Sequence, residues 1–165
     1  MPDAHEYADD RSGDPGSFDR HGVIGIVTSG QLLLVIRRAQ CVIAPGKLCF
    51  PGGGIESGES EPDALIREFR EELDVSIRPI EKIHESVTPW NVHLVWWTAD
   101  LSDADSGGNR PDIAFRPNPD EVEEIHWMTL DELIDSPDLL ESNLSFLLAV
   151  REGRILVPGV SPDAI

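Results

Sequence analysis

Three carboxylates, Glu68, Glu71 and Glu72, crowd into one stretch, Arg67-Glu68-Phe69-Arg70-Glu71-Glu72-Leu73. On a helix, at ~100° per residue, they share a single arc of about 100°. Leu65, Ile66, Phe69 and Leu73 form the neighbouring arc, so one flank packs on a core while the next gathers negative charge. Like charges this close repel unless something offsets them. Oxygen-only ligands select hard divalent cations such as Mg²⁺ or Mn²⁺. The competing reading is a solvated acidic face on an acidic protein. The preceding residues favour a site. Gly52-Gly53-Gly54 lets backbone approach a ligand closely. Arg67 can pair with Glu59 across the intervening loop and fix the start of the helix. Gly53, Glu59 and Arg67 are therefore orienting positions. His93 and His126 sit in strand-like patterns and read as packed or surface residues, and no motif supports a Ser/His/Asp centre.

These residues need elements to hold them. Ser60 is an N-cap candidate, with Glu61, Pro62 and Asp63 in the first turn of a helix running to about Leu73. Residues 23–28 and 32–37 are β-branched or Leu-rich runs separated by Ser29-Gly30, which predicts a hairpin. Further strands are expected at 48–50, 75–87, 91–99 and 122–128, with Asp/Gly/Pro/Asn-rich loop sequence at 101–120. A last helix is expected over 137–151, with Leu139, Leu140, Leu144, Leu147, Leu148 and Val150 as its apolar set. Residues 1–20 read as a flexible acidic tail, 21–152 as one domain and 153–165 as a Pro/Gly-interrupted tail. Strands and helices mix without strict alternation, so the class is α/β, a mixed sheet flanked by helices.

Composition narrows the function. The 165 residues carry a formal net charge of −18, which argues against binding a nucleic-acid polymer through its backbone. No apolar run is long enough to span a membrane, and the acidic N-terminus is unlike a secretory signal. Cys41 and Cys49 form no CxxC pair and read as two small thiols in a reducing cytoplasm. Residues 21–52 contain no acid but hold Arg37, Arg38 and Lys47, a basic island in an acidic chain. Trp90, Trp96 and Trp97 could stack on a base, although period-two alternation sends at least one of Trp96 and Trp97 into the core.

The run Gly53, five residues, Glu59, seven residues, Arg67-Glu68-Phe69-Arg70-Glu71-Glu72-Leu73-Asp74-Val75 resembles the signature of the Nudix hydrolases. Every charged position matches, and Phe69 and Val75 fill apolar ones. Asp74 stands where the family usually has Gly, a position expected to be left-handed. The approach Arg37-Arg38…Lys47-Leu48-Cys49-Phe50-Pro51-Gly52-Gly53 is similar to that of the MutT-like branch. The resemblance implies a Nudix fold, a mixed sheet sandwiched between helices. It implies hydrolysis of a nucleoside triphosphate to monophosphate and pyrophosphate, an oxidised purine nucleotide included. It further implies Mg²⁺, with Mn²⁺ as substitute, on Glu68, Glu71, Glu72, Glu121 and the Gly52 carbonyl. The resemblance places Glu68, Glu71, Glu72, Glu121 and Arg67 in the catalytic machinery, with Glu68 or Glu121 handling the attacking water. Arg38, Asn143 and Trp90 would contact substrate, Asn143 by reading the base. ADP-ribose, a dinucleoside polyphosphate or another nucleoside diphosphate derivative is the alternative substrate class. A nucleotide sensor without hydrolysis is the third reading. The partner expected is a small nucleotide, and the family resemblance leaves a homodimer open.

Overall fold

The computed structural model describes residues 20–102 and 113–162. Eight strands and three helices follow one another: β1 (Arg20–Ile26), β2 (Thr28–Ser29), β3 (Leu32–Arg38), β4 (Leu48–Cys49), β5 (Gly52–Gly54), α1 (Glu61–Leu73), β6 (Ile77–Val87), β7 (Val92–Leu101), β8 (Val122–Met128), α2 (Leu130–Asp135) and α3 (Glu141–Arg151). One sheet has the order β5-β1-β7-β6, with β1 parallel to β7 and antiparallel to β5. In the other, β3 pairs with β2, β4 and β8.

Period-two alternation sends neighbouring residues of β1, β3 and β7 to opposite faces. Val23, Leu34, Ile36, Val95 and Ala99 pack with Ala64, Leu65, Phe69 and Leu73 of α1. Ile24, Ile26, Leu33, Val35 and Trp96 pack with Leu130 and Leu133 of α2 and Phe146, Leu147 and Val150 of α3. The result is the α/β/α sandwich expected. On the second face Trp96 stacks on Phe146, centroids 4.3 Å apart and planes 11° from parallel. On the first, α1 sits so close to β1 that a Cβ on Gly25 would overlap the Phe69 ring.

Helix α1 forms as its sequence requires. The Ser60 side chain accepts from the Asp63 N–H, and Asp74 closes the helix in the left-handed region (φ 53°, ψ 42°), its N–H donating to Arg70 O.

Four expectations change. The hairpin at Ser29-Gly30 exists only at its tip, where β2 pairs with the start of β3; β1 leaves for the other sheet. The last helix begins at Glu141, not 137, because Leu48 captures the segment before it: Leu48 N–H donates to Asp138 O, and Leu140 N–H to Leu48 O. Helix α2 was not expected, although Thr129 and Glu132 form a full capping box. In the stretch expected as a Pro/Gly-interrupted tail, the described residues to Pro162 pack against the domain. Val157 and Val160 are buried, and the Gln31 carboxamide holds Ser161 at both its backbone N–H and its hydroxyl. The tail at 1–19 and loop residues 103–112 lie outside the described residues.

Candidate metal and phosphate site

Strand β5 and helix α1 build the site between them. Gly53 lies under Glu68, where an added Cβ would collide with the Glu68 carboxylate. Arg67 locks the loop to the helix. Its Nε and Nη2 donate to both oxygens of Glu59, at 2.8 and 2.9 Å, and Nη2 also donates to Gly54 O at 2.8 Å. That fork holds the Glu59 carboxyl below the usual range. Arg67 Nη1 reaches Glu68 Oε1 at 2.9 Å and Glu71 Oε2 at 3.3 Å. Arg67 thus joins Glu59, Gly54 and the acidic face of α1.

The remaining carboxylates are poorly compensated. Glu72 is 6 % exposed and its Oε2 has no hydrogen-bond partner. Burial drives its pKa well above the ordinary value, the charges of Glu68 and Glu121 push it further, and the Gly52 N–H and Arg38 pull it back. Burial likewise raises Glu68 to about 7 against the pull of Arg67, with Glu71 and Glu121 adding to the rise. Glu121 also has a buried, unpartnered Oε2, and its pKa is raised by burial and by Glu71 and Asp120. Glu71 is more exposed, its side chain at 51 %.

A segment the sequence left as loop joins these groups. Asn118 N–H donates to Glu72 O at 2.8 Å, and Asn118 O accepts from the N–H of Glu121 and of Val122. Its side chain accepts from Asp120 N–H, and Ala39 N–H holds Glu121 O. Glu121 is therefore anchored by backbone to the same helix turn that carries Glu72. A lone Asn in a Pro/Asp-rich stretch carries no sequence signal for this.

The other expected contacts separate. Arg38 comes to the site, with Nε on Ile43 O at 2.7 Å, Nη1 3.8 Å from Cys49 Sγ, and its charge felt by Glu72. Burial pushes the Cys49 thiol up to about 11, so it is an inert neighbour. Cys41 is exposed, and both thiols are free. Asn143, expected to read a base, is 2 % exposed, and its Oδ1 accepts from Phe50 N–H at 3.2 Å. That bond ties α3 to the β4–β5 link. Trp90 stands 75 % exposed in the β6–β7 turn, two strands from β5. Trp96 is buried, and Trp97 donates to Glu61.

Unpartnered buried carboxylate oxygens, together with raised carboxyl pKa values, fit a divalent cation held by oxygen ligands. Among the described residues no three such side chains already converge on one metal-sized centre. Arg67 occupies an oxygen of Glu68 and one of Glu71, so a cation held by those oxygens would exchange a guanidinium contact for a metal contact.

The NUDIX domain model matches residues 19–149. The chain belongs to the Nudix family. Among Nudix relatives, it is 31% identical over 136 residues to the NAD-capped RNA hydrolase NudC of Stutzerimonas stutzeri, covering 80% of this chain and 45% of that protein. It is 44% identical over 48 residues to the nucleoside triphosphatase NudI of Escherichia fergusonii, 29% of this chain and 30% of that one. The match thus spans less than half the length of each of these curated relatives. The MutT protein of Methanosarcina mazei Go1 shares the fold with a TM-score of 0.65 at 18% identity, covering 82% and 94% of the two chains. Among the described residues no helix is long and apolar enough to cross a membrane.

Proposed function

We propose that this Nudix chain hydrolyses a phosphoric anhydride bond in a nucleoside triphosphate, releasing nucleoside monophosphate and pyrophosphate. The observation that carries the reading is the pair of buried, unpartnered oxygens on Glu72 and Glu121 beside Glu68 and Glu71. Such an arrangement destabilises a protein unless a cation completes it. Glu68, Glu71, Glu72, Glu121 and the Gly52 carbonyl would hold Mg²⁺, with Mn²⁺ as substitute. When bound, the metal neutralises the phosphates and acidifies water.

The chain's own groups do the rest. Glu68 or Glu121 accepts the proton as water oxygen adds to phosphorus. The phosphorus–oxygen bond to the leaving group breaks, and its negative charge stays on the departing phosphate. Arg38, held by Ile43 O, would offer its remaining guanidinium N–H groups to the phosphates. Arg67 and Glu59 hold the loop against the helix throughout.

A second reading rests on the similarity to NudC. A diphosphate that joins two nucleosides, free or at an RNA end, presents the same anhydride to the same groups. A non-hydrolysing sensor finds no support, because every box carboxylate is in place. Purified protein with Mg²⁺ should be offered the (d)NTPs, an oxidised dGTP, ADP-ribose, NADH, diadenosine polyphosphates and NAD-capped RNA, with products identified. Monophosphate plus pyrophosphate from a triphosphate supports the first reading. Two mononucleotides from NADH, or a 5′-monophosphate RNA, replace it with the second. Binding without any hydrolysis overturns both.

A further inference from the structure

Helix α3 is linked to the carboxylate corner on α1, although the two helices cover opposite faces of the strands. Three hydrogen bonds hold residues 48–50 against α3 and the segment before it. Leu48 N–H donates to Asp138 O at 2.9 Å, Leu140 N–H donates to Leu48 O at 2.8 Å, and Phe50 N–H donates to Asn143 Oδ1 at 3.2 Å. Only the third of these uses a side chain, so only it can be removed by substitution. Asn143 is 2 % exposed and Phe50 is buried with it, so bulk water does not reach the pair. Asn143 Nδ2 makes a longer contact, 3.5 Å to Ser142 Oγ, which leaves Oδ1 as the closely held end.

Beyond Phe50 the chain has little freedom. Pro51 is buried, its ring fixes φ, and its carbonyl accepts from Gly25 N–H at 2.9 Å. Gly52 lies so close to β1 that an added Cβ would overlap Val23 O. Gly52 N–H donates to the Glu72 carboxylate, and Glu72 Oε2 is left unpartnered. Asn143 and Glu72 are thus joined through the run Phe50-Pro51-Gly52, with a hydrogen bond at each end.

We propose that Asn143 is a positioning residue for the carboxylate corner: by holding Phe50 N–H it sets Gly52, and through Gly52 it sets Glu72. This rests on the hydrolase reading only for the cation; the linkage stands on the hydrogen bonds. Without the Asn143 acceptor, the buried Phe50 N–H must turn toward another partner, and the constrained run turns with it. Gly52 then offers its N–H from a different place, and the corner that a cation would complete changes shape. Groups that orient metal ligands from behind typically alter metal affinity about 10–100-fold when removed.

The test compares the full chain as wild type, Asn143→Ala, Asn143→Asp, which keeps an acceptor oxygen, and Leu147→Ala, which truncates a buried side chain one turn along α3. The Gly52 amide is followed by NMR in metal-free protein, and Mg²⁺ affinity by calorimetry. Asn143→Ala should shift the Gly52 signal, speed its hydrogen exchange and weaken Mg²⁺ binding at least about tenfold. Asn143→Asp should recover most of both. Leu147→Ala should melt lower yet keep the Gly52 signal and the Mg²⁺ affinity. An Asn143→Ala chain with the wild-type Gly52 amide and Mg²⁺ affinity, or a Leu147→Ala chain that loses as much affinity, would overturn the positioning role. A wild-type chain that takes up no Mg²⁺ sinks the cation reading alone, and the Gly52 amide of Asn143→Ala still decides the linkage. In wild type the Phe50 and Gly52 amides should exchange together; independent exchange overturns the linkage even where a variant fails to fold.

Discussion

Helices α1 and α3 cover opposite faces of the same strands, yet they bury opposite kinds of surface. α3 buries Phe146, stacked on Trp96, with Leu147 and Val150 around it, and its buried polar side chain, Asn143, is bonded to Phe50. α1 buries Phe69, Leu65 and Leu73 on one flank and Glu72 on the next, with a carboxylate oxygen left unpartnered. On the α3 face the buried polar group is hydrogen-bonded and the rest is apolar. The α1 face gives up stability at one corner, which is where binding energy from a ligand can be recovered.

Breaking each face should therefore give opposite signatures. Phe146→Ala removes the stacked ring and should lower unfolding free energy by about 3–5 kcal/mol, with Mg²⁺ affinity of the remaining folded protein unchanged; denaturant unfolding with and without Mg²⁺ checks this. Glu72→Gln should act in reverse. Turnover should fall at least about a hundredfold, about 2.7 kcal/mol of barrier, while the metal-free protein melts at a higher temperature than wild type. If the variant melts lower, Glu72 is compensated in a way the hydrogen bonds do not show.

Three smaller effects sharpen the contrast. Asn143→Ala strands the Phe50 N–H and should cost about 1–3 kcal/mol, with no change in base preference. A changed base preference in steady-state kinetics would return the residue to substrate recognition. Glu68 provides a pH test. Its folded pKa of about 7 lies above the ordinary 4.5, so between those values the native state holds a proton that the unfolded chain has lost. Metal-free stability should thus fall as pH rises from about 4.5 to 7, and Glu68→Gln should flatten that slope in thermal melts. Last, Asp74→Gly relieves a left-handed residue at the helix end and should stabilise by up to about 1 kcal/mol with activity unaltered.

Legibility in the sequence tracked locality. The bounds of α1 were readable because Ser60, Pro62 and the apolar arc act within a few residues of one another. The Arg67–Glu59 pair was readable for the same reason, since a short loop leaves few alternatives. Strand β8 is legible at 122–128 from its pattern, yet Glu121 beside it owes its position to Asn118 and to the backbone of Glu72. The capping box at Thr129 is legible, but a six-residue helix shows too little periodicity to stand out beside it.

The amino-acid sequence by itself determined the carboxylate arc of α1, its caps and the alternation that makes a two-faced sheet. Each follows from torsional preference and helical or strand geometry over short spans. Only the tertiary structure decided which strand β1 joins, that Leu48 shortens α3, and that Asn143 serves Phe50. Those outcomes depend on which distant segments compete for the same backbone hydrogen bonds and the same apolar surface. That competition is settled by the packed whole, because an unpaired strand edge or an unfilled core site costs free energy wherever along the chain its partner lies.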